Sequence, residues 1–205
     1  MKPCGIAILA KAPRPGLAKT RLAPALGEAG AAALAERLLD HAVAQAAAAA
    51  LGPLALWATP DMAHPAFGRA RDRHGAVLAL QGEGDLGQRM ACVFAQHAAA
   101  GPLPLLLMGT DAPALDAALL RRAAAALQDH DAVYVPALDG GYALVGLRRP
   151  APSLFAGIAW STPQVMAQTR AALAAAGLRH AELPPVADID EPADLARLPP
   201  GWLPA

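Results

Sequence analysis

The sequence is poor in the residues on which several kinds of chemistry depend. Its two cysteines, Cys4 and Cys92, lie far apart, which leaves no disulfide framework and no closely spaced zinc or redox pair; a reduced, cytoplasmic protein is expected. Six histidines, at 41, 64, 74, 97, 130 and 180, form no H-x-x-x-H or H-E-x-x-H pattern, which argues against a zinc site. There is no G-x-S-x-G elbow for a serine nucleophile. Aromatic residues make up only 4%, too few for a base-stacking nucleic-acid platform. Charge of either sign is scarce and balanced, 17 Lys and Arg against 17 Asp and Glu, so an extended polyanion is not the expected partner. No run approaches the roughly 18 uncharged apolar residues of a membrane helix, and the apolar stretch that Lys11 ends is too short for a signal peptide.

Against this background the segment Lys11-Ala-Pro-Arg-Pro-Gly-Leu-Ala-Lys-Thr-Arg21 stands out, with four cations in eleven residues. It follows an apolar run that reads as a buried first strand, and two prolines and a glycine bar regular structure. The cations therefore belong on a loop at that strand's carboxyl end, where open α/β proteins bind ligands. Such a loop suits a phosphate group, or is simply a solvated basic loop.

Short apolar runs alternate with alanine-rich helical stretches, which predicts an α/β fold: a mostly parallel sheet with helices on both faces. Strands are predicted near residues 6–9, 54–58, 77–80, 103–108, 132–135 and 142–146, with a short one near 181–183. Helices are predicted over 29–51, 66–74, 86–100, 117–128, 163–176 and 192–198. Asp85-Leu-Gly-Gln88 reads as a capping box. Ser161-Thr162-Pro163 reads as an N-cap followed by proline at the first helical position. No internal repeat or Ser/Gly-rich hinge divides the chain, so residues 1–205 are expected to form one domain.

Carboxylates recur at strand ends. Asp111 closes the run Leu105-Leu-Leu-Met-Gly-Thr-Asp111 and is either a ligand for a hard divalent cation or a turn-forming residue. Asp116 is the better cap for the helix that follows, which leaves Asp111 free. Asp188 and Asp190 alternate, so both point the same way from an extended segment; one can cap the helix near Pro192 while the other meets a cation shared with Asp111. Without that cation these free carboxylates would repel one another. Asp139-Gly140-Gly141 reads either as a hairpin turn or as a loop that lets a substrate approach the backbone. Gly82-Glu-Gly84-Asp-Leu-Gly87 matches the dinucleotide fingerprint G-x-G-x-x-G, but a cationic strand-loop-helix precedes it and Glu83 stands where a pyrophosphate would lie.

Six motifs occur in order: Ala10-Lys-Ala-Pro-Arg-Pro-Gly-Leu-Ala-Lys-Thr-Arg-Leu22, Gly84-Asp-Leu-Gly-Gln-Arg-Met90, Gly109-Thr-Asp-Ala-Pro113, Asp139-Gly-Gly-Tyr142, Trp160-Ser-Thr-Pro163 and Asp188-Ile-Asp-Glu-Pro-Ala-Asp-Leu195. Together they resemble a bacterial glycosyltransferase-like family of the glycosyltransferase-A (nucleotide-diphospho-sugar transferase) superfamily, similar to 2-phospholactate guanylyltransferase. The resemblance implies a Rossmann-like sheet of the glycosyltransferase-A type and a nucleotide bound over its amino-terminal half. It implies Mg²⁺ or Mn²⁺ on Asp111 with Asp188 or Asp190, and a triphosphate-binding loop.

The residues expected to bind nucleotide are Lys11, Ala12, Arg14, Lys19, Arg21, Gly84 and Asp85. Lys19, Arg21 and Asp111 are expected to be catalytic, with Asp139, Gly140 and Gly141 forming a substrate loop. The superfamily's D-x-D is replaced by Asp111-Ala112-Pro113, which favours nucleotidyl transfer from a nucleoside triphosphate to a phosphorylated small-molecule acceptor. Glycosyl transfer from a nucleotide-sugar is the alternative. An NAD(P)-dependent oxidoreductase and a non-catalytic nucleotide-binding protein are the rivals from other classes.

Overall fold

The computed structural model describes residues 3–101 and 104–203. Among these residues seven strands form one sheet: β1 (Gly5–Lys11), β2 (Leu54–Thr59), β3 (Val77–Leu80), β4 (Leu105–Met108), β5 (Ala132–Pro136), β6 (Tyr142–Leu147) and β7 (His180–Glu182), in the order β3-β2-β1-β4-β6-β5-β7. All neighbours are parallel except β6, which runs antiparallel to both β4 and β5. Leu103, placed by sequence at the start of the fourth strand, lies outside the described residues.

Among the described residues five α-helices cover the sheet: α1 (Ala23–Ala49), α2 (Pro65–His74), α3 (Leu86–Ala100), α4 (Ala117–Ala126) and α5 (Val165–Ala175). Strand alternation sends Ile6, Ile8 and Leu106 against Leu39, Val43, Phe67 and Leu120 of α1, α2 and α4. Ala7, Leu107 and Tyr134 face Phe94, Met166 and Leu173 of α3 and α5. With both faces covered, the central strands read as continuous apolar runs rather than alternating ones, and every residue of β4 is buried. The predicted α/β architecture is therefore the observed one.

Three elements depart most from expectation. α1 begins at Ala23, behind a short 3-10 turn, and is broken at Gly27, whose φ of 69° is not helical. α5 begins at Val165 and has no side-chain cap. Thr162 sits before it, donating to the Ala159 carbonyl at 2.7 Å, and Ser161 adopts a left-handed φ of 62°. The segment at 192–198 is a 3-10 turn, Pro192–Arg197, and not an α-helix. Among the described residues no helix is long and apolar enough to cross a membrane.

Candidate functional site

Strands β1 and β4 are neighbours, and the chain leaves them in opposite directions along the sheet, from β1 to β2 and from β4 to β5. A crevice opens outside their carboxyl ends at such a point. The basic segment leaves β1 there. The backbone N–H of Ala12 donates to the Thr59 carbonyl at 2.8 Å, and those of Leu17 and Ala18 donate to that of Arg14 at 3.0 and 3.2 Å. The loop then turns at Lys19, a non-glycine residue in the left-handed region (φ 50°, ψ 41°). Backbone of this kind is sparsely populated and persists only when its surroundings hold it.

What holds it is the third and sixth motifs. The Lys19 ammonium sits between Asp111 Oδ1 at 2.5 Å and Asp190 Oδ1 at 2.8 Å, and donates to the Ile189 carbonyl at 2.6 Å. The lysine side chain is 7% exposed, while those of the two aspartates are 47% and 42% exposed. Burial opposes the lysine charge, but the two carboxylates outweigh it and hold its pKa above the ordinary value.

The expected mutual repulsion of Asp111 and Asp190 is thus corrected: an internal cation already lies between them. Their convergence comes from the backbone. Ile189 donates to the Asp111 carbonyl at 2.9 Å and buries its side chain with Leu22, Leu34 and Leu38. That leaves Asp188 and Asp190, on either side of it, to turn outward.

The supporting caps fall as the spacing suggested, with one addition. Asp116 caps α4 by accepting the Leu119 N–H at 2.7 Å, which frees Asp111. Asp194, which sequence reasoning passed over, accepts the backbone N–H groups of Asp190 and Glu191 at 3.1 and 2.9 Å. The Asp190 side chain is thereby released for Lys19. An acid three residues beyond Glu191 was the available signal.

A cavity of about 510 Å³ fills the crevice, with Lys11, Lys19, Arg21, Arg89, Asp111 and Asp190 in its walls. Arg21 is largely exposed, 3.8 Å from Glu191. Arg89 was not singled out from sequence. It lies one turn into α3, steadied by the Gln81 side chain at 3.3 Å and the Asp85 carbonyl at 3.4 Å. Gln81 itself spans the Ala10 and Trp57 carbonyls of β1 and β2. An arginine four residues after an N-cap at a strand end was the sequence signal for it.

Four of the expected nucleotide-binding positions do not face this cavity. Arg14 forms a two-pronged pair with Asp61 at 2.7 and 2.8 Å. Ala12 is fully buried, its amide spent on Thr59. Gly84 has a φ of 98° and abuts Gln88, while Asp85 and Gln88 close the capping box at 2.8 and 2.9 Å, so this pair shapes the start of α3. The dinucleotide-like glycines follow β3, which is an edge strand, and a Cβ on Gly87 would strike the Phe155 carbonyl at 2.5 Å.

A second cavity, about 470 Å³, adjoins the first across Asp111 and Asp190. Asp139 and Gly141 line it from the β5–β6 turn. Gly141 donates to Asp139 Oδ1 at 2.8 Å, so the turn reading holds. Gly140, at φ 95°, leaves no room for a side chain, because a Cβ would lie 2.3 Å from the Pro163 carbonyl. Its own carbonyl accepts the Met166 N–H at 2.8 Å, which starts α5 in place of the expected side-chain cap. Asp188 lies on this side and not beside Lys19. Burial raises its pKa above the usual carboxylate value, with Asp139 adding to the effect. Among the described residues no group of three or more His, Cys, Asp or Glu is placed to hold a metal ion by itself.

The sheet order and the crevice at β1 and β4 define a nucleotide-diphospho-sugar transferase fold. Residues 42–162 match the family described as uncharacterized protein conserved in bacteria (DUF2064), and the chain belongs to that family. A solved protein from Desulfovibrio desulfuricans G20, provisionally assigned as a nucleotide-diphospho-sugar transferase, is 31% identical over 93% of this chain and 84% of its own, with a TM-score of 0.84. Two more distant structures share the fold. CMP:2-keto-3-deoxy-manno-octonic acid synthetase, complexed with CTP, is 12% identical over 96% of both chains (TM-score 0.60). Rv0371C from Mycobacterium tuberculosis H37Rv, complexed with manganese, is 20% identical over 97% of this chain and 98% of its own (TM-score 0.54). No curated protein matches the chain in sequence. The closer likeness to 2-phospholactate guanylyltransferase gains no support from these relatives.

Proposed function

We propose that the chain is one transferase domain that binds a nucleotide donor in the first cavity, with its phosphates toward Lys11, Arg21 and Arg89. The observation that carries this reading is the meeting of the β1 loop, the β4 end and the 188–190 segment at one ammonium, Lys19, in the wall of a cavity at the sheet's switch point. Support comes also from the fold's relatives, one holding CTP and another manganese.

A divalent cation fits the residues present. Asp111 and Asp190 each give one oxygen to Lys19, and the second oxygen of each accepts no hydrogen bond from the described residues. Mg²⁺ commonly uses one or two carboxylates beside substrate phosphates, so no larger acidic cluster is required. Such a cation would neutralise charge on the reacting phosphate. Asp190 shares Lys19 with Asp111, whereas Asp188 lines the second cavity.

For the chain's own residues the work is positioning and electrostatics, which suits a site with no evident nucleophile. In nucleotidyl transfer an acceptor oxygen bonds to the α-phosphorus, the bond to pyrophosphate breaks, and pyrophosphate leaves with the electron pair. Arg21 and Arg89 are placed to meet that charge. The acceptor's proton passes to solvent. Glycosyl transfer is the second reading, favoured by the carboxylates of the adjoining cavity, which suit a hydroxyl acceptor.

Melting temperature tests the reading, since a ligand that binds only the folded state raises it. CTP, GTP, UDP-glucose and NAD are each added with and without Mn²⁺. A rise with at least one of the first three that requires Mn²⁺, and none with NAD, is expected. Absence of any Mn²⁺-dependent rise, or a rise with NAD alone, contradicts the proposal.

A further inference from the structure

The second cavity says what kind of acceptor the reaction uses; this inference rests on the nucleotide occupying the first cavity. The two share Asp111, Asp190 and Tyr142, so a molecule in one touches the same carboxylates as a molecule in the other. The wall peculiar to the second cavity carries Asp139, Asp188 and Glu191. Among the described residues Arg21, which also lines the first cavity, is the one cation in its lining, and it stands 3.8 Å from Glu191.

Asp139 has one oxygen taken by the Gly141 N–H, and among the described residues neither Asp139 nor Asp188 has an ion-pair partner. Lys19 is turned toward Asp111 and Asp190 and does not reach this wall. The cavity is thus a pocket of acceptor oxygens with excess negative charge.

A phosphorylated acceptor would bring more negative charge against that wall, where Arg21, already beside Glu191 and assigned to the donor's phosphates, is the cation that the described residues supply. Like charges at short range in a partly desolvated site repel strongly. Hydroxyl or ammonium groups, which donate hydrogen bonds, match carboxylate oxygens directly. Trp160 supplies a flat apolar wall beside them, its indole N–H buried with no partner among the described residues.

We propose that the second cavity is the acceptor subsite and that it takes a hydroxyl- or amino-bearing acceptor without a phosphate group. This replaces the phosphorylated acceptor expected from the sequence. Both nucleotidyl and glycosyl transfer can use such an acceptor, so the inference fixes its chemical class and leaves the transferred group to the donor.

The indole of Trp160 reports on the cavity, and the chain has only three tryptophans. The test is a ¹H–¹⁵N titration of the full chain in Mg²⁺ with glucosamine and with glucosamine 6-phosphate. The Trp160 resonance is assigned by its loss in Trp160→Phe. Glucosamine should move that resonance saturably, and the phosphorylated probe should bind at least tenfold more weakly. The Asp139→Asn/Asp188→Asn double variant should narrow that ratio. Equal or tighter binding of glucosamine 6-phosphate overturns the proposal, as does no response to glucosamine or an unchanged ratio in the double variant. If Mn²⁺-dependent nucleotide binding persists alongside such a failure, the acceptor class alone falls; if nucleotide binding is itself missing, the functional reading falls first.

Discussion

Lys19 organises the site more than any other residue. Its sequence context marked it as a cation on a loop, and a phosphate was the natural partner to expect. The structure gives the ammonium a prior engagement with Asp111 and Asp190. Nothing in one sequence could have shown this, because the partners lie 92 and 171 residues further on. Asp111 itself was legible, because Asp116 so clearly took the role of helix cap. Arg14 was not, since its partner Asp61 sits in a loop with no motif around it.

Replacing Lys19 with methionine keeps an unbranched stem of nearly the same length and removes the charged end. Exposed pairs contribute up to about 1 kcal/mol and breaking a buried pair costs about 3–5 kcal/mol. With a buried lysine and half-exposed carboxylates, the metal-free variant should lose stability between those limits. Mn²⁺ should restore part of that loss, raising the variant's melting temperature more than the wild type's. Identical melting and identical Mn²⁺ shifts in the two proteins would dismiss the role given to Lys19.

At the level of elements, local chemistry sufficed where caps and periodicity act within a turn or two. α3 runs from the capping box at Asp85 as the spacing required. It failed where a distant segment supplies the cap. Ser161-Thr162-Pro163 has the composition of a helix start, but Pro163 lies on Gly140 and the Gly140 carbonyl receives Met166, so α5 starts later.

The edge strand β7 shows another tie of this kind. Glu182 receives two hydrogen bonds from Arg170 of α5, at 2.7 and 2.8 Å, and has His180 at 3.5 Å. The Arg170 hydrogen bonds hold the Glu182 pKa below its usual value of 4.5. A lowered carboxylate pKa stabilises the fold above the unfolded value, and that stability is lost as pH falls through the folded one. Glu182→Gln should therefore melt lower at neutral pH, by about 1 kcal/mol for a paired but half-exposed arginine. The difference should shrink below pH 4.5 and vanish in stronger acid. A difference that persists undiminished at low pH would assign the effect to packing instead.

For the molecule as a whole, alternating apolar runs and helices were enough to read an α/β sheet, and the order of six motifs was enough to read its superfamily. Convergence was not readable. The sheet brings β1 beside β4, and the tail returns along β5, with Val186 bonded to Pro136 and Ile189 to Asp111. That return path delivers Asp190 to Lys19, and it is a property of topology, not of spacing. The same topology disposes of the dinucleotide fingerprint, whose glycines fall after the edge strand β3 and shape the packing of α3.

On the proposed function, Asp111 and the basic loop form one cation-dependent nucleotide site. Calorimetric titration of CTP and GTP into wild type and Asp111→Asn, with and without Mn²⁺, tests it most directly. Because Asp111 pairs with Lys19, the metal-free variant should melt somewhat lower than wild type while remaining folded. Nucleotide affinity in the wild type should rise on adding Mn²⁺, and in Asp111→Asn that rise should fall at least tenfold. A folded Asp111→Asn protein with undiminished Mn²⁺-dependent affinity would remove Asp111 from the nucleotide site.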